Sequence, residues 1–136
     1  MSRTQRHRAT EEESAGITRE IIGAAIEVHR VLGPGLLESA YEQALCHELG
    51  LRGLAFERQV EVPLTYKGSS LPVAFVADLI VANAIVVELK ATETRNAVHG
   101  RQVRTYLRLT GCRFGLLLNF GLERMVDGIE RIVDGQ

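Results

Sequence analysis

Phe75-Val76-Ala77-Asp78-Leu79-Ile80-Val81, the link Ala82-Asn83-Ala84, and Ile85-Val86-Val87-Glu88-Leu89-Lys90 decide how this chain is read. Two apolar, β-branched runs separated by a short link predict neighbouring strands joined by a turn. Each run carries ionisable groups that buried strands ordinarily exclude. Glu88 and Lys90 are two apart, so on a strand they project from one face. Asp78, on the adjacent strand, can bring a second carboxylate to that face. Two carboxylates and an ammonium together suit a hard divalent cation and the polarisation of a phosphodiester.

The Glu-x-Lys triplet alone carries little weight, because ordinary composition supplies about one in a chain of this length. An exposed strand also alternates apolar and polar residues for solubility alone. Context shifts the balance. Asp78 interrupts a run that is otherwise apolar from Val73 to Val81, and Glu88 follows Ile85-Val86-Val87 without polar alternation. Strands of this kind are covered on both faces, where an unpaired charge costs several kcal/mol and calls for a partner or a metal.

Around this pair the chain divides cleanly. Residues 1–14 run basic and then acidic, with almost nothing apolar, and predict a disordered tail ahead of one domain over 15–136. Ile17, Ile21, Ala24, Ala25, Val28 and Leu32 recur at helical spacing and predict a helix over 15–32. Gly33-Pro34-Gly35 ends it, and Leu37, Tyr41, Leu45 and Leu49 predict a second helix over 36–49. Val60, Val62, Leu64 and Tyr66 alternate with polar residues, and Pro63 marks an edge strand or a bulge. After the two central strands come a helix over 96–110, a strand over Phe114–Phe120 and a short strand holding Ile129, Ile132 and Val133. The order is ααβββαββ, an α/β layered architecture.

Composition bounds the function classes. The chain has 136 residues, 46% of them apolar and 24% charged, with a formal net charge of −1, which fits one soluble domain with a core of its own. No apolar run approaches the roughly 18 residues needed to span a bilayer, and the start has no signal-like apolar segment. Cys46 and Cys112 are isolated, so a reducing, cytoplasmic setting is expected. The absence of Trp argues against a base-stacking surface. Between Thr94 and Leu122 there are five arginines and no acid. On a helix, Arg101, Arg104 and Arg108 form a stripe roughly 130° from Gln102 and Tyr106. That stripe reads equally as a solvated face or as a contact for DNA or a partner.

Gly35-Leu36-Leu37-Glu38-Ser39-Ala40-Tyr41 resembles the motif of the GxxExxY proteins, a branch of the PD-(D/E)xK nuclease superfamily. The resemblance runs from about Ile17 to Val133. It includes Val28-His29, Tyr66-Lys67-Gly68, Asp78, Glu88-Leu89-Lys90-Ala91, Gln102 with Tyr106, and Leu116-Leu117-Leu118-Asn119-Phe120-Gly121. It implies a restriction-endonuclease-like core, a central mixed sheet flanked by helices. It also implies that Asp78 and Glu88 bind Mg²⁺ or Mn²⁺ and that Lys90 steadies the developing charge. Glu38 looks like the helix glutamate that reaches the metal in several relatives, and Gln102 and Tyr106 have the Gln-x-x-x-Tyr spacing of RecB-like nucleases. Ala77 stands where the superfamily name places Pro.

Simpler roles compete at several positions. Glu38 also suits the first turn of a helix. Tyr41 also suits the core, with its hydroxyl bonded, and is otherwise a supporting residue of the site. His29, His47 and His99 have no metal-like spacing and read as structural. The implied function is metal-dependent hydrolysis of phosphodiester bonds in DNA, by a homo-oligomer or with a partner protein. The alternative is a non-catalytic binding or assembly module that keeps the fold.

Overall fold

A computed structural model describes residues 6–135, the side chains of residues 73 and 74 excepted. Its elements are α1 (Glu11–Leu32), α2 (Glu38–Leu51), β1 (Phe56–Tyr66), β2 (Ser69–Val81), β3 (Ile85–Lys90), α3 (Ala97–Thr110), β4 (Phe114–Asn119) and β5 (Ile129–Val133), with a 3₁₀ turn at Met125–Gly128. This is the expected ααβββαββ order. The five strands lie side by side in chain order. β3 and β4 are parallel and linked through α3, whereas the other pairs are antiparallel, so the sheet is mixed.

Helices cover both faces of the sheet. Ile21, Ala24, Ala25 and Val28 of α1 and Tyr41, Leu45 and Leu49 of α2 pack with Leu79, Val87, Leu89, Leu116 and Leu118. On the other face Val103 and Leu107 of α3 pack with Ile80, Val86, Leu117 and Ile132. The apolar runs of β3 and β4 are buried on both sides for this reason.

The stretch read as a tail is corrected over residues 6–14. Thr10 accepts from the Glu13 amide at 3.1 Å, and the Glu13 carboxylate accepts from the Thr10 amide at 2.8 Å. This capping box starts α1 at Glu11, and the acids Glu11–Glu13 favour the positive helix end. Ahead of it Ala9 is buried and Arg6 pairs with Glu57. Residues 1–5 of the expected tail lie outside the described residues.

Pro63 shows both properties expected of it. β1 is an edge strand, and its register on β2 shifts between Val62 and Leu64. The turn from β2 to β3 closes through the Ala84 amide donating to the Val81 carbonyl at 3.0 Å. Ala82 and Asn83, at φ 54° and 56°, are both left-handed, as a type I′ hairpin turn requires.

Candidate functional site

β2 and β3 pair as Val81↔Ile85, Ile80↔Val86 and Leu79↔Val87. The ladder ends there, and Asp78 and Glu88 are the next residues beyond it, Glu88 beside Leu117 on the face that α3 covers. β3 in turn pairs Glu88 with Leu117 and Lys90 with Asn119 of β4. Glu88 is 6% exposed, and its Oε1 is buried without a hydrogen-bond partner. Its Oε2 lies 3.6 Å from Lys90 Nζ. One Asp78 oxygen accepts from the Leu89 amide at 2.9 Å, the other from Gln59 Nε2 at 3.3 Å.

The electrostatics follow from this crowding. Burial and the neighbouring Asp78 push Glu88 up to about 8, against the pull of Lys90. Burial also raises Asp78, opposed by the Leu89 amide. Tyr106 is raised by burial, and by Glu88 and Asp78, which places its hydroxyl within their field. A buried carboxylate with an orphaned oxygen, a second carboxylate beside it and an ammonium alongside form an unbalanced polar cluster at a partly buried site. Hard oxygen donors in this state fit a divalent cation. Among the described residues no group of three His, Cys, Asp or Glu side chains converges as a ligand set, which leaves the two carboxylates as the candidate side-chain donors.

The other expected site residues are distributed unevenly. Tyr106 stacks on Phe75 with ring centroids 3.7 Å apart, beside the carboxylates. Gln102, one turn earlier on α3, is exposed, and its side chain makes no hydrogen bond among the described residues. Glu38 is exposed at the first position of α2, and its charge is felt at His99. Tyr41 is fully buried and stacks on Phe120 at 4.7 Å. Its hydroxyl donates to the Gly33 carbonyl and accepts from the Leu36 amide, so it fastens the turn before α2. Leu37 at the N-cap makes no side-chain capping bond, so the entry to α2 is held from the turn before it. His29 is also structural, its Nε2 donating to the Leu122 carbonyl at 2.9 Å.

Three residues to which the sequence assigned no role stand on or beside these strands. Glu42, one turn beyond Glu38, is 8% exposed and accepts from Gln59 Nε2 at 2.9 Å and from Arg58 Nε at 3.1 Å. Its charge also reaches Asp78. The i, i+4 spacing from Glu38 was the available signal, since both lie on one helix face. Gln59 has no counterpart in any motif. Asn119 ties the exit of β3 to the exit of β4. Its Oδ1 accepts from the Thr92 and Gly121 amides at 3.0 Å each, and its Nδ2 donates to Thr92 Oγ1 at 3.0 Å. Gly121 is required there, because a Cβ would stand 2.4 Å from the Thr92 carbonyl oxygen.

α3 divides the surface as its periodicity predicts. Tyr106 turns to β2, while Arg101 and Arg104 line a cavity of about 410 Å³ on the β4–β5 side, with Arg95, Asn119, Asp127 and Glu130. Arg95, Arg101, Arg104 and Arg108 pair with no carboxylate among the described residues, whereas Arg30, Arg52, Arg58 and Arg113 all do.

A mixed sheet covered by helices, with two carboxylates and a lysine at the mouth of its central strands, is a nuclease-type α/β architecture. The sequence model of the PD-(D/E)XK nuclease superfamily matches residues 15–132, and the chain belongs to that superfamily. Its nucleases typically use divalent metals. Among solved structures, the crystal structure of SSO0001 is similar, at 20% identity and a TM-score of 0.48, over 88% of this chain and 79% of that one. No curated protein matches the chain. No helix among the described residues is long and apolar enough to cross a membrane.

Proposed function

We propose that this protein is a metal-dependent nuclease of the GxxExxY branch, hydrolysing phosphodiester bonds in nucleic acid, with DNA as the substrate. The observation that carries the reading is Glu88: a buried carboxylate with an orphaned oxygen, beside Asp78 and 3.6 Å from Lys90. Asp78 and Glu88 would hold Mg²⁺ or Mn²⁺, which supplies Lewis-acid charge and an acidified water. The Leu89 amide fixes one Asp78 oxygen and leaves the carboxylate little freedom to turn. Lys90 offers a fixed positive charge where negative charge develops on the phosphate. The unpaired arginines of α3 supply a basic flank for a phosphate backbone. Cys46 and Cys112 are free and buried, as suits a reducing compartment, and we place the protein in the cytoplasm.

Cleavage of single- and double-stranded DNA and of RNA with Mg²⁺ or Mn²⁺ tests this reading. Asp78→Ala, Glu88→Ala and Lys90→Ala should each abolish turnover, and activity surviving both acid substitutions would remove the assigned site. One observation favours a second reading, a non-catalytic binding or assembly module. Glu38 and Gln102 stay exposed, and no third ligating side chain joins the two carboxylates among the described residues. Calorimetric titration separates the two: no binding of Mg²⁺ or Mn²⁺ at millimolar concentration decides for the module.

A further inference from the structure

Midway along β1 the backbone departs from the strand. Gln59 has φ 48°, a left-handed conformation that penalises any residue with a Cβ. Arg58↔Leu79 and Val60↔Ala77 pair normally on either side. Gln59, which faces Asp78 in the same register, is left out of the ladder. A strained, non-glycine residue inside a strand persists only when its surroundings hold it there.

The side chain shows what holds it. Gln59 Nε2 donates to Glu42 Oε1 at 2.9 Å and to Asp78 Oδ1 at 3.3 Å, so one amide spends both hydrogens on two carboxylates. Glu42 is anchored in turn by Arg58, whose Nε and Nη2 lie 3.1 and 3.0 Å from Oε2. The remaining Asp78 oxygen is taken by the Leu89 amide at 2.9 Å. Asp78 is therefore tethered from both sides, by a side chain of β1 and by the backbone of β3. Relaxing Gln59 to an extended φ would swing its Cβ and withdraw the amide from both acids.

We infer that Gln59 is a positioning residue: oriented by Glu42 and Arg58, its amide sets the Asp78 carboxylate for a divalent cation shared with Glu88. This rests on the metal-site reading above. It also assigns the α2 carboxylate that communicates with the site as Glu42, acting through Gln59 without touching the ion. Partners of this kind around a metal ligand typically govern affinity by about 10–100-fold.

The experiment is Mn²⁺ binding to the full chain by electron paramagnetic resonance, alongside thermal unfolding, for Gln59→Ala, Gln59→Gly and Asp78→Ala. Gln59→Ala and Gln59→Gly should both weaken Mn²⁺ binding by about 10–100-fold. Gln59→Gly should nonetheless unfold at the higher temperature, because glycine accepts φ 48° without strain. Affinity lost equally in two variants of unequal stability is what positioning predicts and a structural role does not. Wild-type affinity in both variants, with binding lost in Asp78→Ala, overturns the role of Gln59 and leaves the metal site standing. So does affinity that follows stability, restored in Gln59→Gly and lost in Gln59→Ala. Wild-type affinity in Asp78→Ala removes the site itself and the inference with it.

Discussion

Replacing Glu88 by Gln tests whether the site is held in tension by a buried carboxylate. Glu88 is pushed from its ordinary 4.5 up to about 8, first by burial and then by Asp78. Between those values the native protein keeps a proton that the unfolded chain has already released. Stability of the metal-free protein therefore falls as pH rises from about 4.5 towards 8. At 1.36 kcal/mol per pH unit, the whole span is worth about 5 kcal/mol at most. Glu88→Gln keeps the shape and has no proton to lose. With a chelator present, its unfolding free energy should match wild type within about 1 kcal/mol at pH 5 and exceed it by about 3–5 kcal/mol at pH 9. In a chain of this size that corresponds to a melting temperature higher by roughly 10–20 °C. The assay is thermal and urea unfolding across pH 5–9, followed by circular dichroism. Parallel stability curves for the two proteins, or a variant weaker at pH 9, would refute the reasoning. The same proton competes with the cation, so metal affinity of the wild type should drop about tenfold per pH unit below 8.

Three further outcomes are expected. Tyr41→Phe, which unlinks the Gly33 carbonyl and Leu36 amide, should cost about 2 kcal/mol in urea unfolding and leave turnover per folded molecule unchanged. Gly121→Ala drives a Cβ into the Thr92 backbone and should destabilise by about 3 kcal/mol or more, visible as a lower urea midpoint. Arg101→Ala and Arg108→Ala, at exposed guanidinium groups without ion pairs, should leave stability within about 0.5 kcal/mol. Each should lower the salt dependence of DNA binding by about one counterion, measured by fluorescence anisotropy between about 50 and 200 mM salt.

The sheet was legible because its signal is periodic. β2, β3 and β4 carry apolar runs that only a doubly covered sheet can bury, and the acid pair stands out against them. The motif at Gly35–Tyr41 was legible as a pattern; its tyrosine hydroxyl fastens the turn, and the buried acid bonded to Gln59 sits four residues after Glu38, at Glu42. Motif matching favoured Glu38, whereas the burial that selects Glu42 depends on how α2 lies against β1. Gln59 left no mark, because a left-handed residue inside a strand is normally announced by Gly or Asn. The start of α1 was written in Thr10-x-x-Glu13, but the surrounding run of charge masked it. The arginine stripe was placed correctly away from Tyr106, since helical periodicity alone fixes that angle.

The type I′ turn between β2 and β3 also governs when the two acids meet. Asp78 and Glu88 are 10 residues apart in the chain, so they come together as soon as that hairpin zips. Hairpins form in about 1–10 μs, ahead of the slower parallel pairing of β3 with β4 through α3. At that moment both carboxylates are still hydrated and their repulsion is slight. It grows only when α3 closes over them and water leaves. A burden that falls after the rate-limiting barrier weighs on the lifetime of the native state and not on the rate of folding. In stopped-flow measurements at pH 9, Glu88→Gln should slow unfolding and leave the refolding rate as it is.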